Sequence, residues 1–322
     1  KAVVYTKYGP PEEVLQLKDV DKPIPRENEI LVKIHAASVN NWDWDLVRGR
    51  PYLFRPIFGI SKPKRKIIGS DIAGHVEAVG SKVEKFQPGD EVFGDISHFG
   101  FGAFAEYVCA PVHLITLKSA SMTFEEAAAI PQAGVLALQG LRDKGGIKPG
   151  KRVLINGAGG GAGTFAIQIA KMYGAEVTGV DHGKKFDLMR SLGADYVIDY
   201  TKENYTRSGE KYDMILDNIA KYGVSDYKRA LSSKGIYAMV GGAPSSILQV
   251  LIFGPMVSGK EGKRVGILAH KPNSGDLTVL NSFFEEGKVK PAIDRCFPLS
   301  DTAAAIRYLG EGHVRGKVII TI

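Results

Sequence analysis

Apolar and polar positions along the chain follow two different rhythms. Up to about residue 120 the apolar residues come in short runs rich in β-branched and aromatic side chains, at 2–5, 29–36, 72–79, 91–93 and 104–109. Gly, Pro, Asn and Asp separate these runs, which predicts short strands joined by turns. Pro88-Gly89-Asp90 is a strong turn signal. The stretch 38–49, which holds both tryptophans, reads as a loop. Near Thr123 the rhythm changes. Thr123 with Glu126 three residues on predicts a capping box ahead of an alanine-rich helix. Strands expected at 151–156, 175–180, 196–198, 212–216 and 235–240 then alternate with helices expected at 164–173 and 186–192. That alternation is the pattern of βαβ units on a parallel sheet. Residues 242–262 read as an irregular segment carrying an apolar cluster, Leu248, Leu251, Ile252 and Phe253. The tail returns to a mixed pattern, with helices at 276–286 and 303–309 and a closing strand at 316–322.

The strand at 151–156 runs into Gly157-Ala158-Gly159-Gly160-Gly161-Ala162-Gly163, and a helix opens at once. Glycines let a backbone turn sharply and approach a pyrophosphate, and a helix N-terminus offers that anion free N–H groups. Two registers of the dinucleotide fingerprint fit, Gly157-x-Gly159-x-x-Ala162 and Ala158-x-Gly160-x-x-Gly163. The second puts its last small residue at the helix start, where close packing needs it. Asp181 closes the next strand, where an acidic residue is expected to bond the adenosine ribose. A carboxylate there weakly favours NADH, whereas Lys184 and Lys185 could receive the 2′-phosphate of NADPH. The plainer alternative makes Asp181 the cap of the next helix. Asn218 and Gly241-Gly242 come after later strands of the expected sheet, at the end where ligands gather.

Composition changes this picture little. With 322 residues, 44% hydrophobic and 24% charged, the chain suits two globular domains. The net charge of +7 admits an anionic cofactor, an anionic membrane or nucleic acid. The densest basic run, from Lys62 to Lys66, contains a proline and reads as a solvated loop; no RNA-binding motif accompanies it, so nucleic acid is an unfavoured partner. Cys109 and Cys296 form no CxxC pair, which argues against a disulfide framework or zinc knuckle and points to a reducing, cytoplasmic setting. No window resembles a membrane span, and the N-terminus lacks the apolar core of a signal peptide.

Five features together resemble the medium-chain dehydrogenase/reductase superfamily, in its zinc-free quinone oxidoreductase branch. They are Val39-Asn40-x-x-Asp43; Gly69-x-Asp71 with Gly74 and Val79-Gly80; Pro88-Gly89-Asp90-x-Val92; the glycine loop with Gln168-x-Ala170-Lys171; and Leu192-Gly193-Ala194. The resemblance runs from Ala2 to Gly316-Lys317-Val318-Ile319. It implies an α/β fold, with a GroES-like β-barrel catalytic domain built from 1–123 and 264–322 and a Rossmann doubly wound parallel-sheet domain at 124–263. It also implies an active site in the interdomain cleft and a homodimer. The zinc ligands of the alcohol dehydrogenases correspond to Asn40 and Ser70 here, with Asp71 after Ser70, so the resemblance implies no zinc. His98 and His113, isolated in a β-rich region, read as structural or surface residues.

The resemblance further implies that Asn40 touches the nicotinamide or the substrate oxygen, that Gln132 and Ala133 face the nicotinamide, and that Tyr200 lies near the adenosine. Trp44 is either a stacking wall for the acceptor or barrel packing. Asp43 is expected to hold its segment through backbone N–H bonds. Asp45 is out of pattern for the family, which leaves its part in catalysis open. Without a metal, a conjugated acceptor is easier to reduce than an alcohol or simple ketone, because charge spreads onto an oxygen that hydrogen bonds can stabilise. NAD(P)H-dependent reduction of quinones or α,β-unsaturated carbonyls is therefore the expected activity. A metal-free alcohol dehydrogenase or ketone reductase, or a nucleotide-sensing or RNA-binding protein, are the alternatives.

Overall fold

The computed structural model describes all 322 residues, with the side chains of all but Phe54 and Lys260. The chain begins with β1 (Ala2–Val4), β2 (Gln16–Lys18), β3 (Glu29–Val39), β4 (Asp71–Val79), β5 (Glu91–Asp95), β6 (Tyr107–Pro111) and β7 (Ile115–Leu117). It continues through β8 (Arg152–Asn156), β9 (Glu176–Asp181), β10 (Tyr196–Asp199), β11 (Tyr212–Asp217), β12 (Leu231–Met239) and β13 (Arg264–Ile267). It closes with β14 (Ile293–Pro298) and β15 (Lys317–Thr321). Two compact units result, one from Lys1–Gln132 with Pro272–Ile322, the other from Ala133–Lys271. These divisions fall later than expected at both ends. The capped helix Phe124–Ala129 packs on β3 and β4, and β13 pairs in parallel with β12.

In the first unit the sheet order is β14-β15-β3-β4-β5-β7, with β6 also on β3. The long β3 shares one edge between two partners. Glu29–Lys33 pair with β6, and Ala36–Val39 pair antiparallel with β15. This brings the last strand of the chain beside the residue after β3, since Val318 stands opposite Val39. The apolar sides of these strands enclose a core of Ile30, Val32, Ile34, Ile72, Val92, Phe104 and Ile320.

The second unit holds a six-stranded sheet in the order β10-β9-β8-β11-β12-β13, every pair parallel. The direction of strand succession reverses between β8 and β11, the crevice where doubly wound sheets bind ligands. The expected α/β class is therefore realised. In the core of this unit Tyr227 stacks on Tyr237 of β12 at 4.0 Å, and the Tyr237 hydroxyl donates to the buried carboxylate of Asp217 at 3.0 Å.

Two expected loops are helical. Residues 38–49 contain the helix Asn41–Arg48. Asp43, three residues after Asn40, accepts the Asn40 backbone N–H at 2.8 Å, and Gly49 closes the helix in the left-handed region at φ 58°. The segment 242–262 contains the helix Pro244–Val257, with Pro244 in its first turn, where a missing N–H costs nothing, and Pro255 near its end. Apolar residues around much of its circumference hid the helical period.

Candidate active site

In the second unit β8 ends at Asn156, and Gly157 turns the chain at φ 78°. The N–H groups of Gly157 and Ala158 donate to Val180 O, which pins the turn to β9. The helix Gly161–Met172 starts behind Gly160, and no side chain caps it among the described residues. Its first N–H groups are thus free to meet an anion. A Cβ on Gly163 would lie 2.2 Å from Gly157 O and 2.6 Å from Ala158 Cα. Only glycine fits there, so the register Ala158-x-Gly160-x-x-Gly163 describes the close packing of turn and helix.

Asp181 is buried and does not cap the helical turn after β9; the His182 imidazole does, accepting from Lys184 N at 3.1 Å. The Asp181 carboxylate instead accepts from Gly159 N at 2.9 Å and His182 N at 2.8 Å, and lies 3.3 Å from the buried Lys185 ammonium. Asp181 therefore organises the glycine loop while sharing its charge with Lys185. Lys184 is exposed, and the Lys221 ammonium sits over the Tyr200 ring at 5.6 Å from its centroid. Past β11, Asn218 donates its amide to Asn156 O at 2.9 Å, while its own Oδ1 is buried without a partner among the described residues. An unsatisfied acceptor at the switch point fits a ligand N–H or O–H. Gly241 and Gly242 come after β12, with Gly241 facing Asn218 O and Gly242 against Ala220. Ala133, also in this unit, is buried.

The first unit holds a buried polar cluster where β3, β4 and β15 meet. Lys317 Nζ donates to Asn40 Oδ1 at 2.6 Å and lies 3.4 Å from Asp71 Oδ2. Asn40 Nδ2 donates to Asp71 at 3.0 Å and, more weakly, to Ser70 Oγ at 3.4 Å. Ser38 Oγ donates to Asp71 at 2.7 Å, and Gln132 N donates to its other oxygen at 3.1 Å. Burial pushes the Asp71 carboxyl above the ordinary aspartate range, and Lys317 opposes that shift. Sequence reasoning missed Lys317. Asn40 is nearly fully buried, with its amide bonded inside this cluster. Among the described residues no three His, Cys, Asp or Glu side chains group as metal ligands.

Asp43 accepts backbone N–H groups from Asn40 and Gly69, the structural role expected of it. Burial pushes its carboxyl up to about 7, with the two N–H bonds pulling down and Asp71 pushing further up. The folded chain thus keeps a proton that the unfolded chain releases near 3.8, so stability falls as pH rises from there to about 7. Asp43→Asn should remove that part of the slope and cost about 1–3 kcal/mol, because the amide NH2 cannot accept the N–H bond that a carboxyl oxygen accepts there. Thermal unfolding across pH checks both effects.

Trp44 is half-buried and packs against the core of the first unit. A Cβ on Gly310 would fall 2.5 Å from the indole, and the Arg48 guanidinium lies 4.3 Å from the ring centroid. Asp45 is half-buried; burial raises its carboxyl and Arg48 counters the shift.

Comparison with known proteins places this geometry among relatives. A family model described as zinc-binding dehydrogenase matches residues 192–320, and one described as alcohol dehydrogenase GroES-like domain matches residues 26–120. The chain is 34% identical to a 2-methylene-furan-3-one reductase of Solanum lycopersicum, over 99% of this chain and 78% of that protein. It is 33% identical to a chloroplast envelope quinone oxidoreductase homolog of Arabidopsis thaliana, over 99% and 97%. The solved quinone oxidoreductase from Coxiella burnetii superposes with a TM-score of 0.88 at 30% identity, covering 100% of this chain and 99% of that one.

Proposed function

The chain belongs to the medium-chain dehydrogenase/reductase superfamily, among its quinone oxidoreductases and enone reductases, and from that membership we propose that it reduces quinones or α,β-unsaturated carbonyls with NAD(P)H. The observation that carries the reading is the uncapped helix start behind a turn in which Gly163 can bear no side chain. Bound NAD(P)H supplies the hydride. The N–H groups at Gly161 and Ala162 hold the pyrophosphate, with Gly160 letting the backbone approach it. Asn218 Oδ1, Gly241 and Gly242 orient the remainder from the strand ends. Tyr200, Lys184 and Lys185 line the adenosine end, and Gln132 and Ala133 serve the nicotinamide.

As negative charge grows on the acceptor oxygen, Asn40 offers the amide hydrogen that only Ser70 holds, at 3.4 Å. The Lys317 ammonium bonded to Asn40 Oδ1 polarises that amide toward the developing charge. Asp45 is the carboxyl of this helix with no hydrogen-bond partner among the described residues, which supports it as the proton carrier. A cation already at Asn40 and Asp71 would repel a metal ion, which supports a zinc-independent reaction despite the description of the matching family model. Turnover of cofactor with a panel of quinones and enones, with the product identified, tests the proposal. The expected product from an enone is the saturated carbonyl; exclusive formation of the allylic alcohol would contradict it.

The Lys185 partnership revises the weak preference for NADH expected from Asp181. A carboxylate shared with Lys185 and two N–H groups repels a 2′-phosphate less than a free one, and Lys184 and Lys221 add positive charge. NADPH is therefore the proposed preference. Asp181→Asn frees Lys185 and should raise the ratio of NADPH to NADH binding by about tenfold. Parallel titrations with both cofactors check this; a shift toward NADH would contradict it.

The edge strand β13 and the exposed Leu251, Ile252, Phe253 and Met256 of the helix Pro244–Val257 support a homodimer. Among the described residues no helix is long and apolar enough to cross a membrane. The free cysteines support a reducing compartment such as the cytoplasm.

A further inference from the structure

The chain carries 42 basic and 35 acidic residues, and its charge is not evenly spread. Residues 46–70 contain Arg48, Arg50, Arg55, Lys62, Lys64, Arg65 and Lys66 and no acidic residue. The remaining 35 basic residues equal the 35 acidic ones, so the whole net charge of +7 resides in this one segment. Among the described residues no salt bridge joins any of the seven to a carboxylate. Arg50, Lys62, Lys64, Arg65 and Lys66 are exposed.

The same segment displays Tyr52, Leu53, Ile57 and Ile60 at 61%, 67%, 63% and 74% exposure. Four large apolar side chains so exposed within nine residues depart from the scattered single exposures of an ordinary surface. The segment is also clamped. The Tyr8 hydroxyl donates to Gly59 O at 2.8 Å, Arg55 Nε donates to Gly49 O at 3.0 Å, and Lys64 Nζ donates to the carbonyls of Pro56 and Ile57. Its apolar side chains therefore project from a held platform.

We propose that residues 50–66 dock the protein peripherally on an anionic lipid bilayer, with Leu53, Ile57 and Ile60 entering the headgroup boundary and the surrounding lysines and arginines facing lipid phosphates. Apolar tips ringed by cations match such a surface on both counts, because the boundary accepts apolar side chains and the anionic headgroups attract basic ones. Nucleic acid would satisfy the cations and leave the aliphatic tips in water. Anchoring of this kind is independent of which acceptor the enzyme reduces, although it would bring the protein to acceptors dissolved in lipid.

Co-sedimentation of the full chain with phosphatidylcholine vesicles, with and without about 30 mol % phosphatidylserine, tests the proposal. Affinity for the anionic vesicles should exceed that for neutral ones by about tenfold or more, and should fall as salt rises. The double variant Leu53→Ser with Ile57→Ser should lose about tenfold in affinity, and Lys62→Gln with Lys66→Gln should lose a similar factor. All four positions are exposed, so unchanged thermal unfolding is expected of both variants. Equal binding to neutral and anionic vesicles, or no binding to either, would overturn the proposal. So would wild-type vesicle binding by the serine variant, or capture of single-stranded RNA that competes fully with vesicles and ignores the serine substitutions, either of which marks a polyanion site without insertion.

Discussion

Gly163→Ala is expected to lower NAD(P)H affinity by a factor of about one hundred or more. The new Cβ would sit 2.2 Å from Gly157 O and 2.6 Å from Ala158 Cα. Those neighbours are backbone, so no side chain can rotate away. The helix Gly161–Met172 must move off the turn, and its first N–H groups leave the position set by the bonds from Gly157 N and Ala158 N to Val180 O. Fluorescence titration of reduced cofactor measures the loss. Gly160→Ala is the informative companion, because its Cβ would meet nothing closer than Gly157 O at 3.5 Å. That variant should keep the fold and weaken binding only through approach of the pyrophosphate.

Lys317→Met is expected to destabilise the chain by about 3–5 kcal/mol, because it leaves the wholly buried Asp71 without its cation. A fall of about 10 °C in unfolding temperature would report this. The same change frees Asn40 Oδ1 and lets its amide rotate, so kcat should fall along with stability. Asp71→Asn in the same chain removes the stranded charge and should recover part of the stability without restoring kcat. Recovery of both together would mean that Lys317 acts on stability alone.

The sheet alternation, the glycine loop and the acidic end of β9 could be read along the chain because each depends on neighbours a few residues away. The Thr123 capping box was equally local, and both of its bonds are made. The same signal stood at Asn40 and Asp43, but two asparagines and two aspartates among tryptophans resembled a loop more than a helix start. Lys317 could not be found that way. It reaches Asn40 across 277 positions, through the register that sets Val318 opposite Val39. In sequence it is one lysine ahead of an apolar strand. The packing of Trp44 depends equally on a distant residue, Gly310, whose missing side chain makes room for the indole. Asp181 was legible as a residue at the right place, but its bond to Gly159 and its pairing with Lys185 arise from three-dimensional closure of the loop.

A buried amide and ammonium, Asn40 and Lys317, are proposed to serve where related dehydrogenases use a metal. Steady-state oxidation of NADPH with a quinone and an enone, before and after exhaustive chelation, tests this most directly. Turnover of at least one acceptor is predicted, unchanged by chelation and not increased by added zinc. Activity lost on chelation and restored by zinc would contradict it.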